Sequence, residues 1–310
     1  MNRDGANCVV AVVVTYNPDL ARLIQLVNAI TPQVVQVIAF DNTADGGAKS
    51  IWDDPSFKAV TVCGMGRNLG LAGGLNRGIE KAIGYGADQV LLLDQDSVAG
   101  PEMVASLQNG INSAQTLGFR VAAAGPNFTD SQGQVPPAFL AIGFPVNRPV
   151  AANPDKPFVL TDILITSGML LKVRAFIAVG PMMDALFIDN VDIEWGFRAV
   201  QQGWVLIGVP SAMLCHRMGE IRRPPPKWIK YFGRSNVIQH QPMRLYYIMR
   251  NRILLLRMSH VPWRWKLQDL LRIPFKVIVS LQTAEDRRLA LKAIIQGLWH
   301  GVVGRTGPRP

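Results

Sequence analysis

The chain has 310 residues, 49% hydrophobic and 17% charged, which supplies a sizeable core and argues against global disorder. A formal net charge of +10 favours anionic partners such as nucleic acid, acidic lipid headgroups or phosphorylated substrates. The scattered cysteines Cys8, Cys63 and Cys215 form no CxxC or disulfide framework, so reduced thiols in a cytosolic setting are expected; no signal peptide is read at the start, and no apolar run reaches the ~18 residues of a membrane span.

Val9 to Thr15, VVAVVVT, is apolar on both faces and reads as a buried parallel strand. The following YNPDLARLIQLVNAI has Pro18 near its start and apolar residues at helical spacing. VVQVIAFDN is a second strand ending at Asp41, and KAVTVCG a third. NLGLAGGLNRGIEKAIGYG opens on glycines and becomes a helix, DQVLLLDQD is a fourth strand, and a helix follows Pro101 before the strand RVAAAGP. Residues 128–157 are rich in Pro, Gly and Asn and read as loops or short irregular strands. FVLTDILITSGMLLKV is strand-like with a break at Ser167-Gly168, NVDIEWGFRAVQQG is a helix, and WVLIGVP a further strand. From about Lys227 the text is helical, basic and aromatic-rich. The alternation predicts an α/β domain with a mainly parallel sheet, whose ligands bind at the carboxyl ends of the strands. Thr15 to Asn17, Asp41 and Asp94 to Asp96 all fall at such ends.

VLLLDQDSVAG then poses a chemical question, because two like charges one residue apart at the end of a buried strand repel. Three readings compete. A divalent cation can bridge the carboxylates to a diphosphate. The apolar strand followed by DxDxV also fits the nucleophile motif of haloacid-dehalogenase-type phosphohydrolases, with Asp94 attacking. Asp96 can also simply cap the helix near Pro101. The first reading gains from order: TYN, FDN, RNLGLAGGLNRGI and DQD each sit at a strand end or helix start, whereas the phosphohydrolase motif normally sits on the first strand. A dinucleotide site fits poorly, since GMGRNLG is one residue too long for GxGxxG.

This ordered set resembles the family 2 glycosyltransferases over about residues 8–220, which implies a GT-A nucleotide-diphospho-sugar transferase fold. By that resemblance Thr15, Tyr16 and Asn17 line the nucleotide pocket, with Asp41 accepting from a pyrimidine N–H. Arg67, Asn68, Gly70, Gly73 and Gly74 lie near the nucleotide. Asp94, Gln95 and Asp96 match the DxD element: Asp96 is the main ligand of Mg²⁺ or Mn²⁺, Asp94 touches the ribose or the metal, and His216 completes the metal site. An inverting transferase needs a base for the acceptor hydroxyl. Aligned through Arg198, Asp192 takes that place, with Asp189 as the alternative; Val191 departs from the usual Glu of an ED pair. Ser167 and Gly168 resemble the acceptor-side loop. Trp195 offers a sugar-stacking wall or core packing, and Glu194 an acceptor contact or a helix ion pair with Arg198.

FIDNVDIEW with YYIMRNR is most similar to bacterial rhamnosyltransferases that use dTDP-L-rhamnose in cell-surface polysaccharide assembly; a UDP-sugar donor stays open. The resemblance implies a sugar or undecaprenyl-diphosphate-linked acceptor and a peripheral place at the inner face of the cytoplasmic membrane. Residues 221–310 are then a basic helical extension, with Tyr246, Arg250, Arg252, Arg257, Trp263, Arg264, Trp265 and Lys266 facing the bilayer or the diphosphate. Nucleic acid is a poor partner for basic residues mixed with long aliphatic stretches. A non-catalytic membrane scaffold, a tail packed on the core, and a homo-oligomer remain open.

Overall fold

The computed structural model describes residues 8–44, 49–64, 66–129, 139–153, 155–216 and 239–310. Strands β1 (Val9–Thr15), β2 (Gln36–Asp41), β3 (Val60–Gly64) and β4 (Gln89–Asp94) run parallel in the order β3-β2-β1-β4. Helix α1 (Leu20–Ile30), capped by Asp19 rather than led by Pro18, follows β1; a short α2 (Lys49–Trp52) and then α3 (Gly70–Gly84) precede β4. Next come β5 (Ser97–Ala99), α4 (Met103–Thr116) and β6 (Val121–Thr129), with a small hairpin of β7 (Phe139–Ala141) and β8 (Arg148–Val150). The chain continues through β9 (Val159–Thr161), β10 (Met169–Lys172), α5 (Val173–Val179), α6 (Val191–Gln201) and β11 (Val205–His216). The sheet continues past β4 as β10-β6-β11-β5, with β9 also on β11. The expectation of a mainly parallel sheet holds for β1 to β4, β6 and β11; β5, β9 and β10 run against them.

The unbroken apolar text of β1 has a plain cause. Val10 and Val12 face one core with Ile79 of α3 and Phe197 of α6, while Val9, Ala11 and Val13 face another with Leu23 and Leu26 of α1 and Leu107 of α4. A strand covered on both faces has no polar side to show in its sequence. Gly74 and Gly78 let α3 lie directly on β1, because a Cβ there would stand 2.7 Å from Val14 Cγ1 and 2.3 Å from Val12 Cγ1.

Three C-terminal helices follow: α7 (Pro242–Leu256), α8 (Trp263–Thr283) and α9 (Arg287–Val302). Leu254, Leu255, Val261 and Trp265 belong to the same core as α3 and α6, so these helices pack against the sheet domain. The boundary expected near residue 220 lies outside the described residues. The expected outward set is corrected in part. Tyr246, Arg250 and Trp265 are buried and Arg252 pairs with Asp269, whereas Trp263 and Arg264 are exposed. Tyr246 and Arg250 of α7 bury because their polar atoms find partners inside, as Tyr246 Oη does at His300 Nδ1 (2.6 Å).

Candidate active site

The strand order reverses between β1 and β4, the position where open α/β sheets place their ligand crevice. Parallel register sets Thr15 beside Asp41 and Val14 beside Asp94, so three sequence-distant motifs share one edge. Gln95 spans the switch point: its Oε1 accepts from Tyr16 N (2.8 Å) and its Nε2 donates to Tyr16 O (3.3 Å). A cleft of about 320 Å³ opens here, with Thr15, Tyr16, Asn68, Gly70 and Gln95 on one wall and Phe187, Arg244 and Tyr247 opposite. Arg67 and Gly73 instead line a larger neighbouring hollow of about 690 Å³ beyond Phe187.

Asp41 is half-buried and well partnered. Oδ1 accepts from Thr15 Oγ1 (3.2 Å) and Thr43 N (2.9 Å), and Oδ2 from Trp52 Nε1 (2.9 Å). A carboxylate has about four acceptor sites, so one remains. Asn17, with a left-handed φ of 45°, donates its N–H to Thr43 Oγ1. Gly70 needs its φ of +76° and its missing Cβ, which would sit 2.5 Å from Phe187 O. Gly73 and Gly74 meet Leu69 and Val14, so packing accounts for both.

Asp94 ends β4, Gln95 and Asp96 make the turn, and β5 follows at once. Asp96 does not cap α4, which starts at Met103 with Glu102 as its cap residue. The backbone of His216 pairs with Ser97, next to Asp96, and its side chain lies outside the described residues. Among the described residues no group of three His, Cys, Asp or Glu side chains forms a cation cage. Asp94 and Asp96 still fit a hard cation in kind, since Mg²⁺ is commonly held by one or two carboxylates plus phosphate oxygens and water.

Antiparallel β10 lies between β4 and β6, with Met169 opposite Leu92. The residues before Met169 therefore run past Asp94. Thr166 there reaches α6: its N–H (3.0 Å) and Oγ1 (3.3 Å) donate to Asp192 Oδ2, while Ile193 N donates to Oδ1 (2.8 Å). Burial pushes the Asp192 carboxyl above its usual range, against the downward pull of these donors. Asp189 is committed elsewhere, held by Arg244 in a forked pair with Nη2–Oδ1 at 3.1 Å. Burial draws the Arg244 pKa down, but Asp189 first, then Asp94 and Asp192, carry it above its usual value. Three expected carboxylates thus act on one guanidinium that lines the cleft.

The segment before Asp192 is unusual. Phe187, Asp189 and Asn190 have φ of 64°, 66° and 61°, a conformation costing non-glycine residues about 1–3 kcal/mol each. Such backbone persists only where its surroundings hold it, and α7 does so. Tyr247 stacks on Phe187 (centroids 5.0 Å apart), Arg250 donates to Ala185 O and Leu186 O, and Asn251 to Leu186 O, Ile188 O and Asp189 O. Sequence reading missed Arg244, Tyr247, Phe187 and Asn251 as site residues. The available signal was their spacing on α7: residues 244, 247 and 251 fall on one helical face.

The acceptor-side residues need correction. Trp195 has no exposed surface, and its Nε1 donates to Gly180 O (3.0 Å). Glu194 is equally buried, forked to Arg198 at 2.6 and 2.9 Å with His260 Nε2 at 2.9 Å. Core packing and the helix ion pair account for them. Ser167 is buried against Ser97 (Oγ–Oγ 2.6 Å). Gly168 has φ +78° and faces Pro126 Cγ at 2.5 Å from a would-be Cβ, so backbone and packing, not room for a sugar, require it.

A sheet with acidic strand ends at its switch point, backed by a half-buried carboxylate on a helix start, defines a GT-A type transferase domain. Solved structures share that fold. S. aureus TarS 1–349 in complex with UDP-GlcNAc aligns with TM-score 0.56 at 14% identity over 94% of this chain and 81% of that one. GalNAc-T7 with UDP, GalNAc and Mn²⁺ aligns with TM-score 0.56 at 16% identity over 69% of this chain and 44% of that one. Residues 10–177, over half of the 310, match glycosyl transferase family 2, and the chain belongs to that family. It is 28% identical over 298 residues to the dTDP-rhamnosyl transferase RfbF of Shigella flexneri, covering 96% of each chain. It is 26% identical to an N-acetylglucosaminyl-diphospho-decaprenol L-rhamnosyltransferase of Mycobacterium tuberculosis, covering 92% of this chain and 97% of that one. The protein is a glycosyltransferase, and the phosphohydrolase reading of Asp94 is replaced.

Proposed function

We propose that the protein is a metal-dependent, inverting rhamnosyltransferase that moves L-rhamnose from dTDP-L-rhamnose to a lipid-linked or polysaccharide acceptor in cell-surface glycan assembly. The similarity to two rhamnosyltransferases across more than nine-tenths of the chain supports the donor. The observation that carries the mechanism is the partition of two neighbouring carboxylates: Asp189 is tied up by Arg244, while Asp192 is held by hydrogen bonds with its pKa raised.

In this reading Thr15, Tyr16 and Asn68 flank the nucleotide, and Asp41 uses its remaining acceptor site for the thymine imide N–H. Asp94 and Asp96 would hold Mg²⁺ or Mn²⁺, which would supply positive charge for a diphosphate leaving group. Asp192 takes the proton of the acceptor hydroxyl as that oxygen bonds to the anomeric carbon. The carbon–oxygen bond to phosphate breaks with its electron pair leaving on dTDP, so the configuration inverts. A raised pKa suits this work, since a stronger base accepts the proton more readily.

The acceptor would meet the enzyme at the inner membrane face. Among the described residues no helix is long and apolar enough to cross a membrane. Helix α9, however, exposes Leu291, Ile295, Trp299 and Val302 along one face, with Arg287, Arg288 and Lys292 exposed around it. Apolar side chains flanked by cations suit an anionic lipid surface.

Thermal unfolding with dTDP, UDP or GDP, each with and without Mn²⁺, tests the donor. A ligand at 100 times its Kd adds about 2.7 kcal/mol to the folded state. The expected result is metal-dependent stabilisation, largest for dTDP. A UDP preference would change the sugar, and no response to any nucleotide would defeat the reading.

A further inference from the structure

Helix α7 holds the base-bearing loop with two wholly buried polar side chains, Arg250 and Asn251, that the transfer chemistry above does not use. Asn251 Nδ2 lies 3.0 Å from Leu186 O, 2.7 Å from Ile188 O and 2.8 Å from Asp189 O. Its Oδ1 accepts from Arg250 Nε at 3.0 Å, which fixes the amide with its donors toward the loop. Arg250 Nη2 reaches Leu186 O at 2.8 Å and Ala185 O at 3.2 Å, and Nη1 donates to Gly307 O. The carbonyls of Ala185, Leu186, Ile188 and Asp189 therefore find donors on α7, while Phe187 O accepts from Ala72 N of α3 at 3.2 Å.

The consequence reaches Asp192 through the backbone. Asn190, left-handed and without a side-chain cap bond, is the cap residue of α6, and its carbonyl accepts the helix bond from Glu194 N at 3.0 Å. Asp192 is two residues on. Where α6 begins, and so where that carboxylate stands, is set by the conformation of residues 187–190. A buried carbonyl that loses its donor is costly, so a loop robbed of Asn251 would turn its carbonyls to new partners and shift the start of α6.

We propose that Asn251 is a positioning residue of the transfer reaction, whose amide locks the left-handed turn that sets where Asp192 stands at the start of α6. The proposal rests on the reading of Asp192 as base. It does not require Asn251 to touch either substrate.

The test compares full-length wild type with Asn251→Asp and Asn251→Ser. The carboxylate keeps the shape but faces three carbonyls without a donor; the hydroxyl keeps one donor. Transfer from dTDP-L-rhamnose should fall at least 30-fold in kcat for the Asp variant and less for the Ser variant, with donor KM within threefold of wild type. Hydrogen exchange should rise in the 185–193 segment in the same order, while β1 and β4 stay protected. Should the Asp variant fail to fold, the Ser variant carries both readouts. Folded variants with wild-type kcat and unchanged exchange at 185–193 would overturn the proposal, as would a loss confined to KM. Faster exchange with unchanged kcat would also overturn it, by separating the loop from the chemistry. Asp192→Asn is measured beside them: full activity in that variant would remove the base reading, whereas the exchange data would still show whether Asn251 locks the turn.

Discussion

The cleft has two walls built on different principles. The strand ends of β1, β2 and β4 are placed by parallel register, and their polar groups are held by short contacts such as Gln95 with Tyr16. The opposite wall, Phe187 and Ile188 packed on Arg244 and Tyr247 of α7, has no sheet to hold it. It depends on left-handed backbone and on donors brought from about 60 residues away, as the bonds from Asn251 to Ile188 and Asp189 show. One wall is rigid by topology and the other by a side-chain clamp. Small changes in the second wall should therefore cost catalysis before they cost the fold.

The largest expected effect lies where that wall leads into α6. Asp192→Asn should lower transfer by about 10²–10⁴-fold, the range of general-base catalysis, with the melting temperature near wild type. Asp189→Asn should cost at least tenfold less, because its partner Arg244 is half-exposed and such pairs contribute about 0–1 kcal/mol. Equal losses in steady-state rates would erase the distinction between the two carboxylates.

On the first wall, Asp96→Ala should abolish Mn²⁺-dependent stabilisation by dTDP and reduce transfer, while metal-free nucleotide binding changes little. Isothermal titration with and without Mn²⁺ checks this. Stability, by contrast, should fall behind both walls: Trp195→Ala removes a wholly buried side chain and should cost about 3–5 kcal/mol, read by denaturant unfolding. Activity per folded molecule should persist; selective loss of acceptor binding would restore Trp195 to the acceptor site.

The two walls also differ in legibility. VVAVVVT, VIAFD and VLLLD announce buried strands, and a residue at the end of a parallel strand is placed by the fold alone, so Thr15, Asp41 and Asp94 were readable. The α7 wall was not. YYIMRNR carries aromatic, apolar and basic residues together, a composition shared by membrane-facing helices and by helices whose polar groups meet buried carbonyls. Only the strained loop opposite decides between them, and its φ values leave no glycine in the sequence at 187, 189 or 190. Trp195 and Glu194 were ambiguous for a related reason: helical spacing places them on α6 but does not say which of its faces meets the core. The α9 stretch reads as part of the amphipathic basic tail, but its exposed Leu291, Ile295, Trp299 and Val302 are spread among cations and do not stand out beside the aromatics of α7, of which Tyr246 and Tyr247 are buried.

A smaller effect concerns pH. The Asp192 carboxyl is raised by burial, so the folded state binds its proton more tightly than the unfolded chain does. Its ionisation therefore lowers stability as pH rises from the ordinary carboxylate range through the raised folded value, and below that range the cost is absent. In kcat/KM the same group gives an acid limb, with activity falling as it protonates at a pH above the ordinary carboxylate range. Asp192→Asn should lose that limb, and a limb unchanged in the residual activity would belong to another group.

The most direct test of the whole account is the anomeric configuration of the product formed from dTDP-L-rhamnose, read by NMR with a diphospho-polyprenyl-linked sugar as acceptor. A rhamnoside of inverted configuration is expected, formed only in the presence of Mg²⁺ or Mn²⁺. A product of retained configuration, or full turnover in the presence of a chelator, would contradict it.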